Sequence, residues 1–348
     1  MLETMLRAAP KWLSQPGPEA DIVVSSRGIL RRNLTHYAFP QRCTDEERGD
    51  IEERVRDALA QTGFTEDGCY YSMAELERRE AGFLAERYAC AYGLLHAKGP
   101  RGIFVSRDQG LCIAINGSDH IMLEARLPGL QLEQVWSLLD EADDALSHYL
   151  GYAFDEDLGY LTADLSAVGT GLTLAAVLHL PGLVMANGIA ELTEAVQEDD
   201  QELSRVKVKS GDNEAGDFFK MLNRATLGRS EEEFAFHLRQ SIVQAADQER
   251  TARETLLHEG PALLEDRVGR ALGIVRGARL LGEDEATSLL SSLRLGISSG
   301  LVEGYGVEQV NEMLLLSQPA HIELGQGRSC DEMTLNVERA GLFRARFS

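Results

Sequence analysis

Arginines set at alternating positions are the first residues whose type and spacing could do chemistry. The run Asp21 to Arg27 reads as extended chain. If the extension continues, Arg27, Ile29 and Arg31 share one face, with Arg31 roughly 6–7 Å beyond Arg27. Guanidinium groups there would suit phosphate, because their planar fork meets phosphate oxygens in pairs. Arg205 begins a second β-rich run in which Lys207 and Lys209 alternate with Val206 and Val208, a pattern that by itself is a solvated strand face. Gly169-Thr170-Gly171 could cradle a phosphate, but taken alone it reads better as a tight loop before a buried helix. Asp119-His120 has the types for proton transfer, yet an Asp-His pair at a strand end is more often structural. The acidic run Glu198-Asp199-Asp200 reads as a solvated loop.

The elements that must position these groups are legible in outline. Residues 10–40 are irregular apart from the extended run. Thr44 with Glu47 forms a capping box ahead of a helix bearing Ile51, Val55 and Leu59 on one face and ending at Gly63. A second helix is expected from about Met73 to Ala89. After Gly99-Pro100 come three short β-rich runs, Ile103–Ser106, Leu111–Asn116 and His120–Arg126, the first two joined through Asp108-Gln109-Gly110. An amphipathic helix over Leu132–Leu150 comes next, then strand-like segments near Tyr160–Thr162 and Arg205–Lys209. Leu172–Met185, the most apolar stretch, is too short to span a bilayer and reads as a buried helix. Ser230 with Glu233 caps another long helix, and from about Leu256 only helices are expected. Clustered strands and segregated helices indicate α+β rather than a doubly wound fold.

The 348 residues exceed what one core needs, so two or three domains are expected. A net charge of −22 argues against nucleic acid or anionic membrane as partners, and it requires any nucleotide pocket to concentrate its own positive charge. Five cysteines without a C-x-x-C pair fit reduced thiols, with Cys90 and Cys112 as small buried hydrophobes. Met1 to Leu13 has no apolar run suited to a signal peptide, so a cytoplasmic protein is expected.

Several segments in order carry a resemblance: Trp12…Gly17-Pro18-Glu19-Ala20-Asp21 through Arg27; Tyr152 through Thr162; Val168-Gly169-Thr170-Gly171-Leu172; His179-Leu180-Pro181; Gly228, Ser230 and Glu231; Gln248-Glu249-Arg250; Leu264-Glu265-Asp266-Arg267; Arg294-Leu295-Gly296; and Glu338-Arg339-Ala340. Together they resemble the bacterial protein arginine kinases of the ATP:guanidino phosphotransferase family. The resemblance implies an antiparallel, glutamine-synthetase-like sheet flanked by helices. It implies a small, mainly helical N-terminal region (1–98), a phosphotransferase-like domain (99–255) and a helical C-terminal domain (256–348) for dimerisation and phosphoarginine binding.

The same resemblance marks what is missing. Such kinases clamp the triphosphate with about five arginines and hold the guanidinium with carboxylates. Here Ser26 and Arg27 begin the clamp and Arg205 holds its last place, whereas the places between are Ile29, Met122 and Thr173. Each lost charge-assisted contact costs roughly 1.5–3 kcal/mol, so three weaken phosphate binding by a factor on the order of a thousand or more. The family's Asn-Glu-Glu-Asp-His is Asn116-Gly117-Ser118-Asp119-His120, its second catalytic glutamate is Ser210, its reactive cysteine is Asp164, and its histidine before Leu-Ile-Ser is Tyr88. The phosphoarginine motif keeps only Arg339 and Ala340, with Glu338 beside them to repel a phosphate.

Three functions are therefore open. The first is a pseudo-kinase, with no cofactor beyond weak Mg-ATP. It would act in protein quality control as a homodimer, as a partner of an active arginine kinase or its zinc-binding activator, or on protein clients. The second is an active phosphotransferase with a rearranged site using Arg27, Arg31, Arg205, Asp164 and Asp119. The third is a module that senses a guanidinium through Asp164.

Overall fold

The computed structural model describes residues 2–89, 92–206 and 216–348, and the expectations for Cys90, Lys207, Lys209 and Ser210 fall outside them. Its strands are β1 (Val23–Arg32), β2 (Gly68–Ser72), β3 (Gly102–Ser106), β4 (Leu111–Ile115), β5 (Ile121–Pro128), β6 (Phe154–Asp155), β7 (Gly159–Tyr160), β8 (Leu172–His179), β9 (Gln201–Arg205) and β10 (Phe218–Asn223). Eight of them form one antiparallel sheet in the order β2-β3-β4-β5-β1-β8-β10-β9, and β6 pairs with β7 in a small ribbon. The fold is α+β, as expected.

One face of the sheet is covered by the helices Leu132–Ser147 and Glu231–Glu259, and the main core lies between them. Contact there is close enough that a Cβ on Gly28 would come within 2.6–2.7 Å of Leu139 and Val135. The capping boxes form as read: Thr44 Oγ1 accepts from the Glu47 amide at the start of Asp45–Gln61, and Ser230 Oγ accepts from the Glu233 amide.

The run Leu172–Met185 is not a helix. Leu172–His179 is strand β8, and only Pro181–Met185 turns helical. A strand covered on both faces loses the alternation that identifies strands, so a continuous apolar run does not separate the two states. The Gly169-Thr170-Gly171 loop accordingly precedes a strand. The expected helix from Met73 begins only at Arg78, because Gly68–Ser72 pairs with β3 as the sheet's edge. Of the strand expected near Arg205–Lys209, the described part is Gln201–Arg205, which begins earlier than expected. The first 98 residues supply helices but also β1, in the middle of the sheet, and β2, so they share one sheet with the strands of the next region.

From Pro261 onward there are only helices. Buried arginines tie them to the sheet. Arg294 donates to the carbonyls of Ala20 and Asp21 and to Asn311, and Arg253 donates to the His179 carbonyl while pairing with Glu249. Glu249 in turn accepts from the Gly182 and Leu183 amides, Arg250 pairs with Asp21, and Arg267 pairs with Asp217. Motif residues that survive in the sequence thus bond one layer to another.

Candidate functional site

Alternation along β1 decides which groups meet. Gly28 faces the helices, so Arg27, Ile29 and Arg31 face the other way, onto the open side of the sheet. The register sets Ile29 between Glu124 of β5 and Thr173 of β8, and Arg31 opposite Met122. Four of the expected clamp positions (Arg27, Ile29, Met122, Thr173) therefore lie on one patch, and Arg31 extends it. Ser118 and Asp164 stand at its end, where Ser118 Oγ lies 3.1 Å from Met122 Sδ and Asp164 is within electrostatic reach of Arg31.

Three expected site residues do not join. Ser26 points to the helix side and is fully buried, its hydroxyl donating to the Gly129 carbonyl and accepting from the Gln131 amide, each at 2.8 Å. Arg205 sits on the edge strand, three strands from β1 or about 14 Å. It is paired across from Phe219, bonded to the Gly216 carbonyl and 3.8 Å from Asp217. Arg339 is buried among the C-terminal helices, donating to the carbonyls of Ser317 and Leu281 and to Asn336. Its guanidinium braces helix ends and is not offered to a phosphoarginine.

The arginines on the patch are already engaged. Arg27 Nη2 lies 2.6 Å from Glu124 Oε2, and Arg126 Nε donates to Glu124 Oε1 at 2.7 Å. Burial pushes the Glu124 carboxyl up, but the two guanidinium groups outweigh it and hold the acid below its ordinary range. Arg126 is also stacked on Tyr88 and Trp12, with ring distances of 4.5 and 5.2 Å. Arg31 donates to Thr173 Oγ1 at 2.9 Å, and burial lowers its pKa against the field of Asp119.

Among the described residues no base is poised at the other end. Asp164 is exposed and caps its own turn, accepting from the Ser166 amide and hydroxyl. Asp119 Oδ1 accepts from Asn33 and the Ala163 amide. His120 Nδ1 accepts from the Leu34 amide, so its proton lies on Nε2, toward the Ala38 carbonyl, and burial holds its pKa below the ordinary value. Both groups are thus engaged in bonds within the fold. Among the described residues no group of His, Cys, Asp and Glu is placed to hold a metal.

Beside Arg27 the open face and the C-terminal helices border a partly open cavity of about 190 Å³, lined by Trp12, Ser25, Arg126, Ala175, Lys220 and Leu315 among others. The sequence reading missed Glu124, Arg126 and Lys220. The signal was present for two of them. Leu123 and Ala125 are the inward residues of β5, which leaves Met122, Glu124 and Arg126 together on its other face.

Comparison with known proteins gives a consistent picture. Residues 50–252 match the family described as ATP:guanido phosphotransferase, C-terminal catalytic domain, and residues 261–348 match the Protein-arginine kinase McsB C-terminal domain. The chain is 36% identical over 343 residues to the protein-arginine kinase of Moorella thermoacetica, covering 96% of each chain. It is 34% identical to that of Symbiobacterium thermophilum, covering 99% of each. Among solved structures, lombricine kinase superposes with a TM-score of 0.59 at 22% identity over 70% of this chain and 71% of that one. The duplicated taurocyamine kinase of Schistosoma mansoni superposes with a TM-score of 0.61 at 22% identity over 72% of this chain, which spans 37% of its length.

Proposed function

The chain belongs to the ATP:guanido phosphotransferase family, on its protein-arginine kinase branch, and from that premise we propose that it is a pseudo-kinase, a kinase scaffold kept for protein interaction. One observation carries the reading: the clamp arginine that survives on the sheet face, Arg27, is bonded to Glu124 at 2.6 Å. A triphosphate would have to draw Arg27 away from a buried carboxylate that Arg126 keeps in place. Truncating a buried ion pair costs on the order of 3–5 kcal/mol, more than the roughly 1.5–3 kcal/mol a new charged hydrogen bond returns. Neutral side chains at Ile29, Met122 and Thr173 supply nothing to offset that difference.

The proposal has Mg-ATP bound weakly or not at all, a cytoplasmic location, and an acidic surface that takes proteins rather than nucleic acid. It places the partner, whether a second copy, an active arginine kinase or its zinc-binding activator, on the C-terminal helices, where Leu263, Met333 and Val337 are exposed. Among the described residues no helix is long and apolar enough to cross a membrane.

Incubating the purified chain with labelled ATP and arginine-rich protein tests the reading, with no phosphoarginine expected. Phosphoarginine that disappears in Arg27→Ala would establish the second reading, an active enzyme with a rearranged site. Arg31 favours that alternative, since it shares the face of Arg27. Its bond to Thr173 weighs against it. A guanidinium sensor built on Asp164 is disfavoured, because that carboxylate already caps its own turn through the Ser166 amide and hydroxyl.

A further inference from the structure

We infer that the cavity beside Arg27 binds a compact organic carboxylate with an apolar body, a ligand class distinct from nucleotides.

Size comes first. About 190 Å³ lies below the roughly 300–1,000 Å³ of drug-sized pockets. It lies just above the roughly 150 Å³ apolar cavity that accepts benzene. One ring or a short branched chain fills it, whereas a purine, a ribose and three phosphates do not fit inside.

The walls point the same way. Ala175, Val177, Phe218 and Leu315 present hydrocarbon, which suits a ligand body and offers a triphosphate nothing.

Charge and unmet hydrogen bonding select the head group. Glu124 answers one of the two positive charges of Arg27 and Arg126, so that cluster remains net positive. Of the two carboxylates in the lining, Glu86 is bonded to His321 and to the Ala320 and His321 amides, and Glu283 stands at the start of a C-terminal helix. Lys220, across β8 from Ser25, makes no ion pair with any described residue. Ser25 is 1% exposed and lines the cavity, and Arg27 Nε is without a partner among the described residues. A carboxylate between Lys220, Ser25 and Arg27 would engage all of these donors. The inference does not depend on whether phosphoryl transfer has been lost.

The test uses the full chain carrying Trp136→Phe, so that Trp12, in the cavity wall, is the sole indole. Phenylacetate is titrated into the millimolar range while Trp12 fluorescence and melting temperature are followed. A saturable fluorescence change with a rise in melting temperature is expected. The apparent affinity should fall about tenfold or more for benzyl alcohol, which keeps the ring without the charge, and by a similar factor in Lys220→Met, as expected for one charged contact. Ala175→Leu, which fills the cavity, should abolish the response. If that variant folds poorly, Lys220→Met at a half-exposed position carries the test alone. No saturable response to phenylacetate, an equal response to benzyl alcohol, or a response unchanged by Lys220→Met would each overturn the inference. A response to Mg-ATP in place of phenylacetate would do the same.

Discussion

Arg27 and Glu124 meet diagonally across β1 and β5, because the register sets Ile29 opposite Glu124 and Arg27 opposite Arg126. The carboxylate thus lies between two guanidinium groups on the face that carries the expected clamp positions. This geometry makes Glu124 the residue that controls the site's charge, and its removal should have two effects of opposite sign.

Glu124→Gln should destabilise the fold, since it leaves Arg126 buried without its counter-charge. The cost for such a truncation is about 3–5 kcal/mol. The same change should raise the affinity of the face for anions, visible as a larger rise in melting temperature with phosphate or Mg-ATP than in the parent. Calorimetric melts with and without the anion check both. An unaltered melting temperature in their absence would mean that the triad contributes nothing to the fold.

Acid sensitivity should come first from buried histidines. His179 is fully buried, with Nε2 bonded to Ser291, and burial together with the nearby Arg294, Arg253 and Arg267 holds its pKa well below the ordinary value. His120 is shifted the same way. Below about pH 6.5 the unfolded chain takes up protons that these folded histidines do not, so stability should fall as pH falls through that region. Each site contributes a slope of at most about 1.4 kcal/mol per pH unit. Urea unfolding at about pH 7.5 and about pH 5.5, on either side of the ordinary histidine value, measures it, and His179→Gln should flatten the slope. An unchanged slope would assign the acid loss to other groups.

Arg339→Ala should behave as a core mutation. Its guanidinium spans the Ser317 and Leu281 carbonyls and is 2% exposed. Leaving those acceptors unpaired costs roughly 1–3 kcal/mol each. Free phosphoarginine should leave the melting temperature of the parent chain unchanged. A phosphoarginine-dependent rise that vanishes in the variant would restore the ligand role.

How far these relationships were legible in the chain depends on their range. The capping boxes at Thr44 and Ser230 are local in sequence and formed as read. The β3–β5 strands announced themselves through alternation and a turn. β8 did not, because Leu172, Leu174, Ala176 and Leu178 pack on the helices while Ala175 and His179 are buried on the opposite face. The Arg27–Glu124 pair is 97 residues apart in sequence and depends on a register that no local pattern encodes. Arg339 reads the same in a motif whether it faces a ligand or a helix end, and burial alone distinguishes the two. Of the clamp positions that the resemblance implied, Arg27, Ile29, Met122 and Thr173 share one face, whereas Ser26 and Arg205 point elsewhere, which no motif could foresee.

The strongest test of the pseudo-kinase reading is to rebuild the clamp. Arginines at Ile29, Met122 and Thr173 would stand beside Arg27 on adjacent strands. At roughly 1.5–3 kcal/mol each, they could raise phosphate affinity by a factor on the order of a thousand. Glu124 opposes that gain, since it lies directly across from Ile29 and a new guanidinium there would pair with it before any phosphate arrived. The triple variant alone should therefore bind Mg-ATP only modestly better than the parent. Adding Glu124→Gln should release most of the remaining gain, so the four changes together should exceed the sum of their separate effects. Isothermal titration with Mg-ATP across the parent, the triple, the single and the quadruple variants measures that coupling. Simple additivity would show that Glu124 does not hold Arg27 away from phosphate, and the 2.6 Å contact would then no longer support loss of nucleotide binding. Phosphoarginine formation is not expected even in the quadruple variant, because Ser118 still stands where the resemblance implies a catalytic glutamate.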